Sequence, residues 1–252
     1  MKLQIEHHFI QAGEWRLLTL SAENSLFNEK PPLVLIQGLA IAARYWIPAM
    51  TELSKDFNVY AFDLPGWGKS DKPPKTLNIA ELSDNLAAWT EAMRIERAVF
   101  VGHSFGCQIL ADFALRYGEK IERLVLASPT VDKQGRSFGI LFVRMLFNAQ
   151  NEPWSLIRIA VKSLFEFGLI REIKTLQIAV RDRIEDKLPQ INIPTLILRG
   201  ERDTVVPQDW AENVAVLLPQ GELKIIKGGT HGFNYSAATA FADAIREFLR
   251  NK

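Results

Sequence analysis

The chain has 252 residues, 48% hydrophobic and 23% charged, and its 30 Lys plus Arg against 29 Asp plus Glu leave a net charge of +1. These are the proportions of an ordinary globular chain, so disorder, collagen-like repeats and a disulfide scaffold are excluded, and one large core with room for an inserted lobe is expected. The charge balance gives no electrostatic reason to expect nucleic acid, an anionic membrane or a polyanionic substrate, and it leaves monomer and homodimer both open.

The single cysteine, Cys107, rules out an internal disulfide and a cysteine-based metal cluster. Glu6, His7 and His8 interrupt the N-terminal segment where a secretory signal needs a continuous apolar stretch. The longest apolar runs fall short of the roughly 20 residues that span a bilayer. A cytoplasmic protein with no membrane insertion is the expectation.

Residues 5–10 and 15–21 read as two short strands around the turn Ala12-Gly13-Glu14. Short, continuously apolar runs follow at 33–36, 59–62, 99–101, 124–127, 196–198 and 223–226. Such runs suit strands covered by helices on both faces. Helical stripes lie between them: Leu82, Leu86 and Trp89 in 79–93, then Phe105, Ile109, Phe113 and Tyr117 in 105–117. The last, at 236–250, carries Phe241, Ile245 and Phe248, with Ser236 as its expected N-cap. This alternation predicts an α/β fold with a mostly parallel central sheet flanked by helices.

One interval departs from the rhythm. Residues 130–190 contain only helical patterns, at 138–148, 154–167 and 169–187, punctuated by Pro153, Gly168 and Pro189. A crossover between parallel strands needs only about a dozen residues, so this stretch reads as an all-helical cap inserted into a core made of 1–129 and 191–252.

The chemistry centres on Gly102-His103-Ser104-Phe105-Gly106, which follows a strand directly and runs directly into a helix. A strand that turns at once into a helix forces its middle residue into a strained conformation, and the two glycines remove Cβ atoms that would clash. Ser104 is then held above the sheet edge at a helix N-terminus, as a nucleophile elbow requires. Its base must come from four histidines. His7 and His8 precede the sheet proper, and His103 diverges from its neighbour Ser104. His231, in Gly228-Gly229-Thr230-His231-Gly232 after the last strand, falls at the same sheet edge as the elbow and is the expected general base.

Asp203, in Arg199-Gly200-Glu201-Arg202-Asp203 after strand 196–198, is the expected orienting acid, with Glu201 and Asp132 as competitors. The oxyanion donors expected are the backbone N–H groups of Phe105 and of Leu39, in Gln37-Gly38-Leu39 after strand 33–36.

Elbow, acid and base in this order resemble the α/β-hydrolase superfamily, and the similarity runs over nearly the whole chain outside 130–190. Asp63-Leu64-Pro65-Gly66-Trp67-Gly68-Lys69-Ser70 also looks like the family's turn after its fourth strand, which implies a structural role for Asp63. The combination resembles small capped hydrolases of the esterase, lactonase and carbon–carbon hydrolase type. Two departures bear on substrate: Gln37-Gly38 stands where many members have His-Gly, and Gly232 stands where ring-cleavage-product hydrolases often have Trp. A Ser nucleophile also disfavours the dehalogenases and epoxide hydrolases of this fold, which use Asp.

The reading that follows is a serine hydrolase of a carboxylic ester, thioester or lactone of a small, largely apolar substrate, without metal or organic cofactor. Carbon–carbon bond hydrolysis on the same triad is the first alternative, and a ligand-sensing receptor the second. Gln37, Gly38, Phe142, Arg144 and Phe165 are the candidate substrate contacts, with Arg144 and Arg158 able either to meet a substrate carboxylate or to sit in solvent.

Overall fold

The computed structural model describes residues 5–39 and 41–250, so the reading of Met1 to Gln4 lies outside the described residues. Eight strands form one sheet: β1 (Glu6–Ala12), β2 (Trp15–Ala22), β3 (Leu33–Ile36), β4 (Val59–Phe62), β5 (Ala98–His103), β6 (Ile121–Ala127), β7 (Thr195–Gly200) and β8 (Gly221–Ile226). Their spatial order is β1-β2-β4-β3-β5-β6-β7-β8. β1 and β2 form an antiparallel hairpin closed by Gly13 at φ +59°, and β3 to β8 pair in parallel.

The helices are α1 (Ile47–Leu53), α2 (Ile79–Ala92), α3 (Phe105–Arg116), α4 (Phe138–Ala149), α5 (Trp154–Phe167), α6 (Leu169–Arg181), α7 (Ile184–Lys187), α8 (Gln208–Leu217), α9 (Phe233–Ser236) and α10 (Ala238–Arg250). The central strands alternate their side chains between two cores. Val34, Ile36 and Phe100 pack with α2, α3 and α8 on one face; Leu33, Leu35, Val99 and Val101 pack with α1 and α10 on the other. Both faces are therefore dry, which is why these strands read as unbroken apolar runs and not as alternating ones. Each such side chain contributes about 1.5–3 kcal/mol by leaving water.

The strand order reverses between β3 and β5, with Ile36 opposite Gly102. At such a switch point the two flanking loops diverge and leave a crevice at the carboxyl ends of the strands. Here those loops are the ones starting at Gln37 and Ser104.

Two details differ from the sequence expectation. Ser236 does not cap the last helix; it ends the one-turn α9, its Oγ donating to Gly232 O at 3.2 Å, and α10 starts at Ala238. The tight turn behind His231 uses Ser236 first. The helix expected over 169–187 stops at Arg181, because Asp182 turns extended (ψ 135°) and its carboxylate takes Lys187 Nζ at 2.6 Å, starting the short α7. No helix among the described residues is long and apolar enough to cross a membrane.

Candidate active site

Ser104 sits between β5 and α3 at φ 54° and ψ −116°, a conformation that costs a non-glycine residue about 1–3 kcal/mol and persists only where its surroundings enforce it. The enforcement is visible at Gly106, where a Cβ would lie 2.6 Å from Ile36 O and 2.8 Å from Gln37 O. The elbow is thus wedged against the end of β3, which brings the 37–39 loop beside the nucleophile. The N–H groups of Leu39 and Phe105 make no hydrogen bond to another described residue, and both residues line the cavity over Ser104.

Asp203 lies beyond β7 and its carboxylate is fully engaged. Oδ1 accepts from the Val205 and Val206 N–H groups at 2.8 and 3.0 Å; Oδ2 accepts from Ser128 Oγ at 2.6 Å and from His231 Nδ1 at 2.9 Å. Burial pushes the carboxyl's pKa up, but the His231 charge and these donors outweigh it and hold it down at about 2. The competitors lie elsewhere: Glu201 accepts from Gly228 N–H, and Asp132 pairs with Arg144. With Nδ1 donating to Asp203, the His231 tautomer is set and Nε2 is left as the basic atom. Burial lowers the His231 pKa, but Asp203 and then Glu152 more than offset this and raise it above the usual histidine value. No hydrogen bond joins Ser104 Oγ to His231 among the described residues; such contacts often tighten only around a substrate.

His103 supports the loop instead of competing with it. Its Nε2 donates to His231 O at 2.9 Å, and burial, with His231 adding, drops its pKa to about 3, so it stays neutral. Cys107 is fully buried in α3, with its Sγ facing the Gly102 carbonyl at 3.3 Å.

The cavity above Ser104 has a volume of about 220 Å³ and is walled by apolar side chains, among them Leu141, Met145, Leu156, Ile157 and Val205. Gly38 lines it, close enough to the nucleophile that a Cβ would lie 3.2 Å from Ser104 Cβ. Four other expected contacts are corrected. Phe142 and Phe165 point outward, 51% and 83% exposed. α4 and α5 are apolar on more than one side, and Leu141, Met145, Leu156 and Ile157 are the ones that line the cavity. The Arg144 guanidinium is spent on the Asp132 carboxylate and on Val205 O. Gln37 is buried away from the cavity; its amide donates to Phe62 O at 2.8 Å and accepts from Leu64 N–H at 2.9 Å, tying β3 to the end of β4. Arg158 is exposed on the outer side of α5.

Four residues that motif reading passed over shape the site. Ser128 supplies the third donor to Asp203, and Arg199 threads its guanidinium through the acid loop, donating to Val206 O at 2.8 Å and Asp203 O at 2.9 Å. From the helical stretch, Asn148 Oδ1 accepts from His231 N–H at 3.2 Å. Glu152 accepts from Gly232 N–H at 2.8 Å and from Thr230 Oγ1 at 2.9 Å, gripping the residues on both sides of His231. Gly232 lies close under this grip: a Cβ there would lie 2.5 Å from Leu156 Cδ2 and 3.0 Å from Glu152 Oε2, so both side chains would have to shift. Only Arg199, inside the acid loop, carried a sequence signal; the others are ordinary polar residues until the chain folds.

Residues 31–156 match the model of the α/β hydrolase fold family, and residues 174–252 match that of the TAP-like proteins. The chain belongs to the α/β-hydrolase fold family. Among relatives, this α/β-hydrolase is 28% identical over 240 residues to RutD of Yersinia enterocolitica, which is named for carbamate hydrolysis, with 86% of each chain covered. It is 36% identical over 113 residues to the Abhydrolase domain-containing protein abhd-5.2 of Caenorhabditis elegans, a match covering 43% of this chain and 25% of that one. Among solved structures, an esterase from Thermogutta terrifontis superposes with a TM-score of 0.81 at 22% identity, over 97% of this chain and 98% of the other. With these relatives, hydrolase activity on this fold is the supported function.

Proposed function

We propose that the protein is a serine hydrolase that cleaves a carboxylic ester, or a thioester or lactone, of a small and largely apolar substrate through an acyl-enzyme. The observation that carries this reading is the fully satisfied Asp203 carboxylate hydrogen-bonded to His231 Nδ1, which leaves Nε2 basic at the cavity that exposes Ser104. Ser104 Oγ attacks the carbonyl carbon while His231 Nε2 takes its proton. The Leu39 and Phe105 N–H groups receive the oxyanion. The proton then passes to the leaving oxygen or sulfur as its bond to the acyl carbon breaks, and water activated by His231 releases the acid. Asp203 keeps the imidazole in the required tautomer and stabilises the imidazolium.

Residues 1–129 and 191–252 form the catalytic core in this reading, and 130–190 form a cap that shapes the acyl side of the cavity. A carbamate carbonyl, the group named for the RutD relative, is open to the same attack. The test is a panel of nitrophenyl esters and thioesters graded by acyl length, run on wild type and Ser104→Ala, with mass spectrometry of a fluorophosphonate adduct. Short apolar acyl groups should turn over fastest and the adduct should map to Ser104. An unlabelled Ser104, or turnover undiminished by Ser104→Ala, overturns the reading.

A further inference from the structure

Most of the exposed large apolar side chains among the described residues lie on α4, α5 and α6. Trp154 and Phe165 are 82% and 83% exposed, and Phe142 and Phe147 of α4 and Leu169 and Ile170 of α6 are exposed as well. A concentration of exposed apolar side chains of this kind marks a contact surface. Its fully exposed charges are basic: Arg158, Lys162, Lys174 and Arg181 are the exposed ionisable residues of these three helices, while Glu172 is partly buried and Glu166, half-buried, stands 3.9 Å from Lys162. Trp154, Arg158, Val161, Lys162 and Phe165 line one groove along α5, with Glu166 as its one carboxylate, so aromatic rings and exposed cations are interleaved on it.

That pairing fits the boundary of a lipid bilayer, where rings enter the acyl region and cations meet anionic headgroups. It fits a second copy of the chain poorly. A two-fold contact sets the same patch against itself and would bring the exposed Arg158 and Lys162 against their own equivalents with only the half-buried Glu166 to offset them. The groove adjoins the wall of the cavity over Ser104: Ile157 lines both, and Met145 and Ala149, exposed on α4, line the cavity as well.

We propose that the outer face of α4–α6 docks on an anionic lipid membrane and that the cavity draws an amphiphilic acyl substrate from it. The docking half stands on the surface alone; the substrate half rests on the hydrolase reading above. No spanning segment is required, since the apolar face lies in the plane of the interface.

The test is sedimentation of the full chain with phosphatidylcholine vesicles, with and without phosphatidylglycerol. Binding should be several-fold stronger on the phosphatidylglycerol vesicles and weaken with added salt. The double variant Trp154→Asp/Phe165→Asp should lose about tenfold in vesicle affinity, and Arg158→Glu/Lys162→Glu should lose the preference for anionic lipid. Both should hydrolyse a short soluble nitrophenyl ester like wild type, which shows that they fold. Ser104→Ala should bind vesicles as wild type does. Absent vesicle binding, or binding unchanged in the double variants, overturns the docking proposal. So do lipid-free dimers that Trp154→Asp/Phe165→Asp dissolves, which assign the face to a second copy. Loss of ester turnover or of the fluorophosphonate adduct with vesicle binding intact would sink the hydrolase reading alone.

Discussion

The sheet with its flanking helices and the helical stretch between β6 and β7 use similar apolar residues in opposite ways. In the first, Val34, Phe100, Val101 and Leu124 are sealed at zero exposure, and glycine contacts such as Gly106 against Ile36 O leave no slack. In the second, the apolar residues face both inward, onto the cavity, and outward, into solvent. The helical stretch is tied down by polar contacts. Arg44 reaches Glu166 and Ser163, Gln108 donates to Ala179 O, Arg171 reaches the Pro73 and Lys75 carbonyls, and Glu152 grips the His231 loop. The contrast separates two tasks. The sheet edge holds Ser104 in a strained, fixed position beside the Asp203 and His231 loops, and the helices present apolar side chains both to the cavity and to solvent.

The largest expected effect sits at the edge of the sheet. Ser104→Ala should reduce ester turnover by about 10⁴-fold or more without altering the unfolding midpoint downward, measured by steady-state kinetics and urea melts. A modest loss of turnover would show that the rigid half does not carry the chemistry. Phe100→Ala should cost about 3–5 kcal/mol in urea denaturation, because it empties a fully buried site between β5 and Phe113.

Glu152 tests the seam between the two regions. Glu152→Ala removes the acceptor of Gly232 N–H and Thr230 Oγ1 and should lower kcat about tenfold, or about 1.4 kcal/mol in the barrier. Glu152→Gln keeps an oxygen for Gly232 and removes only the charge. His231 must be neutral to act as base, and the groups facing it are Asp203 and Glu152, which raise its pKa, and the neutral His103. The ascending limb of kcat/KM against pH should therefore lie above about 6.5 in wild type and move to lower pH in Glu152→Gln. An unmoved limb would reduce Glu152 to a hinge of the loop. The smallest effect belongs to the outer face: Phe165→Ser should change stability by no more than about 0.5 kcal/mol, since that ring gives up little water on folding.

Much of this was readable in the chain itself. The strands at 33–36 and 59–62, the elbow around Ser104 and the loops carrying Asp203 and His231 have strong local signals, because period, glycine placement and turn chemistry act over a few residues. The orientation of Phe142 and Phe165 and the partner of Arg144 are not readable in the chain, since α4 and α5 are apolar on more than one side and a guanidinium takes whichever carboxylate folding brings to it. A sum over 252 residues also says nothing of how charges are distributed, such as the exposed Arg158 and Lys162 on α5.

By itself, the sequence determined the alternation of strands and helices, the strained turn at Ser104 and the chain order of the three chemical groups. Those properties follow from contacts between near neighbours. Only the tertiary structure decided that Ser128, Arg199, Asn148 and Glu152 hold Asp203 and the His231 loop, since each acts across 20 or more residues or through a backbone group, and side-chain type alone does not say which carbonyl or N–H lies within reach. It also decided which apolar side chains of the helical stretch look into the cavity and which look out, because that choice is made by packing and not by composition.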